Sequence, residues 1–132
     1  MRTYQTAKEI GDYGERIAAR YLIFRGHRIL ARNYRDGRHE LDLITKTKNE
    51  LVFTEVKTRL YEDEKAADAS APPCLAVDAD KQSFTRSAAL AYLRSHPTKK
   101  QPRMDVIEVL LLKRPNGKKP NVYRIRHIKA VY

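Results

Sequence analysis

The chain has 132 residues, 27 Lys and Arg against 16 Asp and Glu, a formal net charge of +11 and one cysteine. With 42 % hydrophobic and 33 % charged residues it is neither a disordered tail nor a membrane protein, and its length fits one domain over 1–132 with a modest core. Lone Cys74 excludes an internal disulfide framework and points to a reducing compartment, while the basic excess points to nucleic acid, an anionic membrane surface or an acidic protein as partner.

Residues 6–25 read as the first helix: Ile10, Gly14, Ile17, Ala18 and Tyr21 recur at helical spacing, Thr6 and Glu9 have the spacing of a capping box, and Gly26 supplies a left-handed stop. Lys8, Glu9, Asp12, Glu15, Arg16 and Arg20 leave no room there for a signal peptide. Strands are expected over 27–33, 40–46 and 51–58, with turns at Asp36-Gly37 and 47–50. A second helix, capped by Asp78 or Asp80 and ended by His96-Pro97, would bury Phe84, Ala88, Leu90, Ala91 and Tyr92. Strands over 104–112 and 121–127 close the chain, with Asn116-Gly117 in the loop between them. The run 106–112 is the most apolar, is interrupted by Glu108, and is far short of a membrane span of about 20 residues, so no membrane partner and a cytoplasmic location are expected. The order of elements predicts an α/β fold: a central sheet of five strands flanked by helices.

The charge is uneven. Residues 1–60 carry a net +5, residues 61–80 a net −5 and residues 81–132 a net +11. An acidic loop at about 61–80 therefore divides two basic stretches.

The informative residues are the acids. Strand alternation puts Glu40 with Asp42 on one face and Glu55 with Lys57 on one face, and a hairpin would bring Asp42 near Glu55. Two close carboxylates repel unless a cation sits between them, and carboxylates with a backbone carbonyl and water suit Mg²⁺ or Mn²⁺. A lysine beside them can position a water or offset charge on a phosphate. Acids in half-exposed strands also serve as cross-strand ion pairs, and the spacing alone leaves both readings open. Glu15 falls at the edge of the helix's apolar face, from which it can reach a site or meet solvent. His27, His39, His96 and His127 have no paired ligand spacing, so zinc is not expected, and His127 reads as structural. Cys74 has no neighbouring base, so a catalytic thiol is not expected.

Gly11-x-x-Gly14-Glu15, Tyr21-Leu22, Gly26, Ile29-Leu30-x-Arg32-Asn33-Tyr34-Arg35, Glu40-Leu41-Asp42-Leu43-Ile44 and Phe53-x-Glu55-Val56-Lys57-x-Arg59 resemble the YraN family. So do Lys81, Ala91-Tyr92-Leu93, Arg103-Met104-Asp105-Val106-Ile107 and Ile125-x-His127-Ile128-x-x-Ala130, over nearly the whole chain. That family is similar to PD-(D/E)xK nucleases and archaeal Holliday junction resolvases. The resemblance implies a restriction-endonuclease-like core. It also implies that Asp42, Glu55 and Lys57 are the metal-binding and catalytic triad, with Glu15 as an added helix acid and Glu40 matching a family acid. This chain departs from the pattern at His39, where the family usually has Gly, and over 61–80, which carries Glu62-Asp63-Glu64 and Pro72-Pro73 where the family tends to be Gly-rich. That stretch reads either as a solvated loop or as a segment in the basic cleft that nucleic acid displaces.

The expected reaction is hydrolysis of phosphodiester bonds in DNA, in branched or flapped form, with Asp42, Glu55, Glu40 and the Val56 carbonyl around Mg²⁺ or Mn²⁺. Arg32, Arg35, Arg38, Arg59 and Arg86 are the candidate phosphate contacts, each also readable as a solvated charge. RNA as substrate and a homodimer remain open, and the rival reading is a non-catalytic nucleic-acid-binding module or accessory protein.

Overall fold

The computed structural model describes residues 3–70 and 79–131, with 79–84 described by their backbone alone. The capping box forms as expected. The Glu9 N–H donates to Thr6 Oγ1 at 3.1 Å, and the Glu9 carboxylate accepts from the Thr6 N–H at 3.0 Å. They open α1 (Ala7–Phe24), after which Gly26 takes φ 88°. The chain continues through β1 (Arg28–Asp36), β2 (His39–Lys46), β3 (Glu50–Tyr61), a short α2 (Glu64–Asp68), α3 (Ala79–Ser95), β4 (Gln101–Leu112) and β5 (Asn121–Ile128).

The strands lie side by side in chain order, β1-β2-β3-β4-β5. Neighbours are antiparallel except β3 and β4, which run parallel from Glu50 opposite Gln101 to Tyr61 opposite Leu112. A parallel pair needs a crossover, and the chain between β3 and β4 supplies it, with α2 and α3. α1 packs Ile10, Tyr13, Ala18 and Leu22 against Leu43, Ile107, Val109 and Leu111. α3 packs Ala88, Ala89 and Tyr92 against Ile44, Leu51, Phe53 and Met104. On β4 the two sets have opposite parity, so the helices cover opposite faces. The result is an α/β fold with a five-stranded mixed sheet flanked by helices, consistent with a restriction-endonuclease-like core. Among the described residues, no helix is long and apolar enough to cross a membrane.

Three expectations change. β3 runs on to Tyr61 and α2 follows, capped by Asp63 Oδ1 accepting from the Ala66 N–H at 2.9 Å, so the acidic stretch is not a loop throughout. Leu90 is 56 % exposed rather than buried. The covered face of α3 runs through Thr85, Ala88, Ala89 and Tyr92, an i, i+3, i+4, i+7 stripe that leaves Leu90 to one side. Of the two expected caps, Asp80 lies inside α3, which begins at Ala79, rather than ahead of it; Asp78, the Phe84 and Lys81 side chains and Cys74 lie outside the described residues.

Candidate active site

β2 and β3 pair from Lys46 opposite Leu51 up to Leu43 opposite Thr54, and then part. The next step of that register sets Asp42 across from Glu55. Beyond the last pair the Val56 N–H has no strand carbonyl to bond, and a buried backbone donor needs an acceptor. Asp42 supplies it: its Oδ2 accepts from Val56 N at 2.7 Å. The carboxylate is thereby fixed in the opening between the two strands. Glu55 is 4 % exposed, and its Oε1 lies 3.4 Å from Lys57 Nζ. Alternation along β3 places Glu55 and Lys57 on one face, as expected. Asp42 thus meets the backbone of Val56, the residue between Glu55 and Lys57, which meet each other.

The alternation of β2 itself is broken. Leu41 and Ile44 both pack on the α3 side and Leu43 on the α1 side, whereas strict alternation would group Leu41 with Leu43. Opposite this break, Asn33 of β1 stands at φ 50°, the left-handed region that Asn tolerates better than most residues. The Asn33 side chain faces Glu15 across the recess they both line.

Glu15 comes from α1, which approaches β3 very closely. A Cβ on Gly14 would lie 1.8 Å from Thr58 Oγ1, so only glycine lets the helix sit this near. Glu15 lines a recess of about 310 Å³ with Arg32, Asn33 and Leu43, and a second of about 350 Å³ with Val56 and Thr58. Burial, then the charges of Asp42, Asp12 and Glu40, push its carboxyl up to about 7, against the Asn33 side chain, which lowers it. The predicted helix acid therefore does face the opening, within electrostatic reach of Asp42.

The remaining predicted residues are spread around this group. Glu40 is exposed and pairs with Arg35 at 3.5 Å, at the surface end of the β1–β2 hairpin. Arg38 is exposed in the hairpin turn and Arg86 is exposed on α3. Arg32 borders the Glu15 recess. Arg59 donates from Nε to Glu108 Oε2 at 3.0 Å. Among the described residues, no group of three or more His, Cys, Asp and Glu side chains is close enough to hold a metal ion.

Two buried acids escape the sequence reading. Glu108, fully buried in β4, accepts from Arg59 and, at 3.0 Å, from Arg126. Asp105 accepts from Arg103 at 2.9 and 2.8 Å and from the Ala130 N–H at 3.0 Å, and lies 2.7 Å from His127 Nε2. The other imidazole nitrogen, Nδ1, is 3.2 Å from the Tyr21 hydroxyl, so His127 ties α1 to β4 and β5, in keeping with its expected structural part. The available signal was two acids inside an otherwise apolar strand, a placement that occurs almost only with paired charges.

The Uncharacterised protein family UPF0102 matches residues 14–109, a span that contains Glu15, Asp42, Glu55 and Lys57. A UPF0102 protein of Caldanaerobacter subterraneus is 39 % identical over 122 residues, 92 % of each chain. One from Chlorobaculum tepidum is 40 % identical over 127 residues, covering 93 % of this chain and 91 % of that one. One from Pelobacter propionicus is 44 % identical over 108 residues, covering 79 % and 72 %. With a match across most of its length and relatives of this similarity, the chain belongs to the UPF0102 family, the YraN family of the sequence resemblance.

Proposed function

We propose that the protein is a divalent-metal-dependent nuclease that hydrolyses phosphodiester bonds in DNA. The observation that carries this reading is the Asp42 carboxylate held by the Val56 N–H where β2 and β3 part, with Lys57 3.4 Å from the buried Glu55 on the flanking positions of β3.

The donor set suits a hard cation that retains its own waters. Mg²⁺ binds through one or two carboxylates and keeps several of its waters, so it needs no all-protein cage. The crowding of negative charge that helps to push Glu15 to about 7 is the kind that a cation relieves. Asp42, Glu55 and the Val56 carbonyl would hold Mg²⁺ or Mn²⁺, which when bound supplies an activated water and neutralises phosphate charge. Asp42 is held in place by the Val56 N–H, so it does not have to be ordered when substrate arrives. Lys57 brings its ammonium to the same opening, where it offsets charge developing on the phosphate. Glu15 closes the α1 side. Glu40, paired with Arg35, stands outside this set.

The test is incubation with labelled branched, flapped, single-stranded and duplex DNA, and with RNA, in Mg²⁺ or Mn²⁺. Cleavage should require the metal and fall by on the order of 100-fold or more in Asp42→Asn, Glu55→Ala and Lys57→Ala. Cleavage that survives all three substitutions, or no cleavage of any substrate, overturns the assignment. A second reading, a nucleic-acid-binding module, is favoured by the ion pairs that engage Glu55 with Lys57 and Glu108 with Arg59 and Arg126. It predicts binding that persists in the variants with no cleavage by any of them.

A further inference from the structure

On the side of α1 toward the edge strand β5 runs a groove of about 550 Å³ that shares no lining residue with the recesses around Glu15. Tyr13, Tyr21 and Phe24 recur along the helix at its border, Arg20 and Arg25 stand among them, and none of its lining side chains is acidic. Phe24 is 91 % exposed at the border of the groove, where Val122, 43 % exposed, also lines it. Rings and cations interleave: Arg25 lies 4.5 Å from the centre of the Tyr21 ring, and Lys119 lies 5.4 Å from that of Tyr13.

We propose that this groove binds single-stranded nucleic acid, with its phosphates on Arg20, Arg25 and Lys119 and a base stacked on Phe24. The class of partner rests on the proposed function; the surface itself does not involve Asp42 or Glu55. A single strand alternates anionic phosphate with a flat apolar base, and a groove that alternates cation with ring complements both. Arg20 and Arg25 both line the groove, so two cations can meet phosphates of one strand lying in it. An acidic peptide would meet the same arginines but makes less use of an exposed aromatic face beside each of them.

The experiment measures binding of fluorescent dT15 and rU15 by anisotropy, in chelator so that no strand is cut, over a range of salt. Phe24→Ala, which removes no charge, should weaken binding about tenfold, as loss of one stacked base does. Arg20→Ala with Arg25→Ala should weaken it at least tenfold and lower the slope of log K against log salt by about 1.4, at 0.7 per phosphate of a single strand. Lys48→Ala with Lys99→Ala, which removes two charges elsewhere, should change affinity less than about threefold. Binding of either oligonucleotide with this pattern supports the groove. Unchanged binding by Phe24→Ala, or equal losses in both double variants, overturns it. So does tight binding of a Phe-containing Asp/Glu-rich peptide that protects the β5 amides while the oligonucleotides bind outside the groove. If Asp42→Asn binds as the parent does and the parent fails to cut any substrate, the nuclease reading fails and the groove stands.

Discussion

Asp42 has a structural task as well as its proposed catalytic one: its carboxylate completes the hydrogen bonding of Val56 where β2 leaves β3. Replacing it by Ala would therefore confound folding with function, whereas Asn keeps an oxygen for the N–H. Glu15 has the opposite character, because its surroundings oppose its charge. Its folded carboxyl titrates near 7 against an ordinary 4.5, so the native state holds the proton more tightly than the unfolded chain does. Stability from this group is present below about 4.5 and is lost as pH rises to about 7. In metal-free buffer, Glu15→Gln should therefore unfold at higher urea than the parent above pH 7, with the advantage shrinking toward pH 4.5; parallel curves would contradict the crowding of acids described here. Asp105 runs the other way. Burial alone would raise it, but hydrogen bonds from His127, Arg103 and the Ala130 N–H outweigh that and hold it at about 2, below the ordinary 3.8. Its contribution, about 2 kcal/mol, is present above pH 4 and is lost as pH falls toward 2. Asp105→Asn should cost roughly 3–5 kcal/mol at pH 7 by leaving Arg103 and His127 short of a buried partner, and should flatten the acid limb of the urea-midpoint profile. The spacing of Asp42, Glu55 and Lys57 was legible in the sequence because strand periodicity is local. The partners of Asp105 and Glu108 were not, since Arg59 lies 49 residues from Glu108 and Ala130 lies 25 from Asp105.

At the scale of elements, the site depends on how near α1 can come to β3. Gly14 makes that approach, and Thr58 fills the space a methyl group would need with its Cβ, Oγ1 and Cγ2. Alanine favours helices over glycine by about 1 kcal/mol, but here the clash wins, because no rotamer of Thr58 clears all three atoms. Gly14→Ala should lower stability by roughly 1–3 kcal/mol, seen as a drop of several degrees in Tm, and should lower any cleavage activity by displacing Glu15. Thr58→Ala in the same background should restore part of the loss; a Gly14→Ala protein that is more stable than the parent would refute the close approach. The helices and strands themselves follow from periodicity, capping and turn residues, each a signal within a few positions. The break in the alternation of β2 does not, because it lies opposite Asn33 of the neighbouring strand, at the point where β2 parts from β3. Leu90 was misplaced for a related reason: α3 has several small apolar residues, and only the sheet it covers selects which of them face inward.

Across the whole molecule, the acidic segment is attached to the basic half of the chain. Glu62 pairs with Lys113 at 2.6 Å, and Asp68 meets Tyr123 at 2.8 Å and Arg124 at 3.4 Å. These exposed pairs contribute little to stability. They do lower the positive field over the β4–β5 end, where residues 81–132 hold their net +11. Neutralising the segment as Glu62→Gln, Asp63→Asn and Glu64→Gln should raise DNA affinity several-fold at low salt and steepen its salt dependence; unchanged or weaker binding would show that the segment lies clear of the nucleic-acid path.

The sequence by itself determined the class of fold, the capping of α1, the order of elements along the chain and the shared face of Glu55 and Lys57, because all of these rest on periods of two and 3.6 and on neighbours close in the chain. It also determined the sign and the partition of charge. Only the tertiary structure decided that Glu15 lies within electrostatic reach of Asp42, that Glu40 pairs with Arg35, and that Glu108 and Asp105 are buried and held by arginines. It also set apart the groove beside β5. Each of these depends on which surfaces meet when the helices close over the sheet, and burial and long-range pairing are properties of that closure rather than of any local stretch of residues.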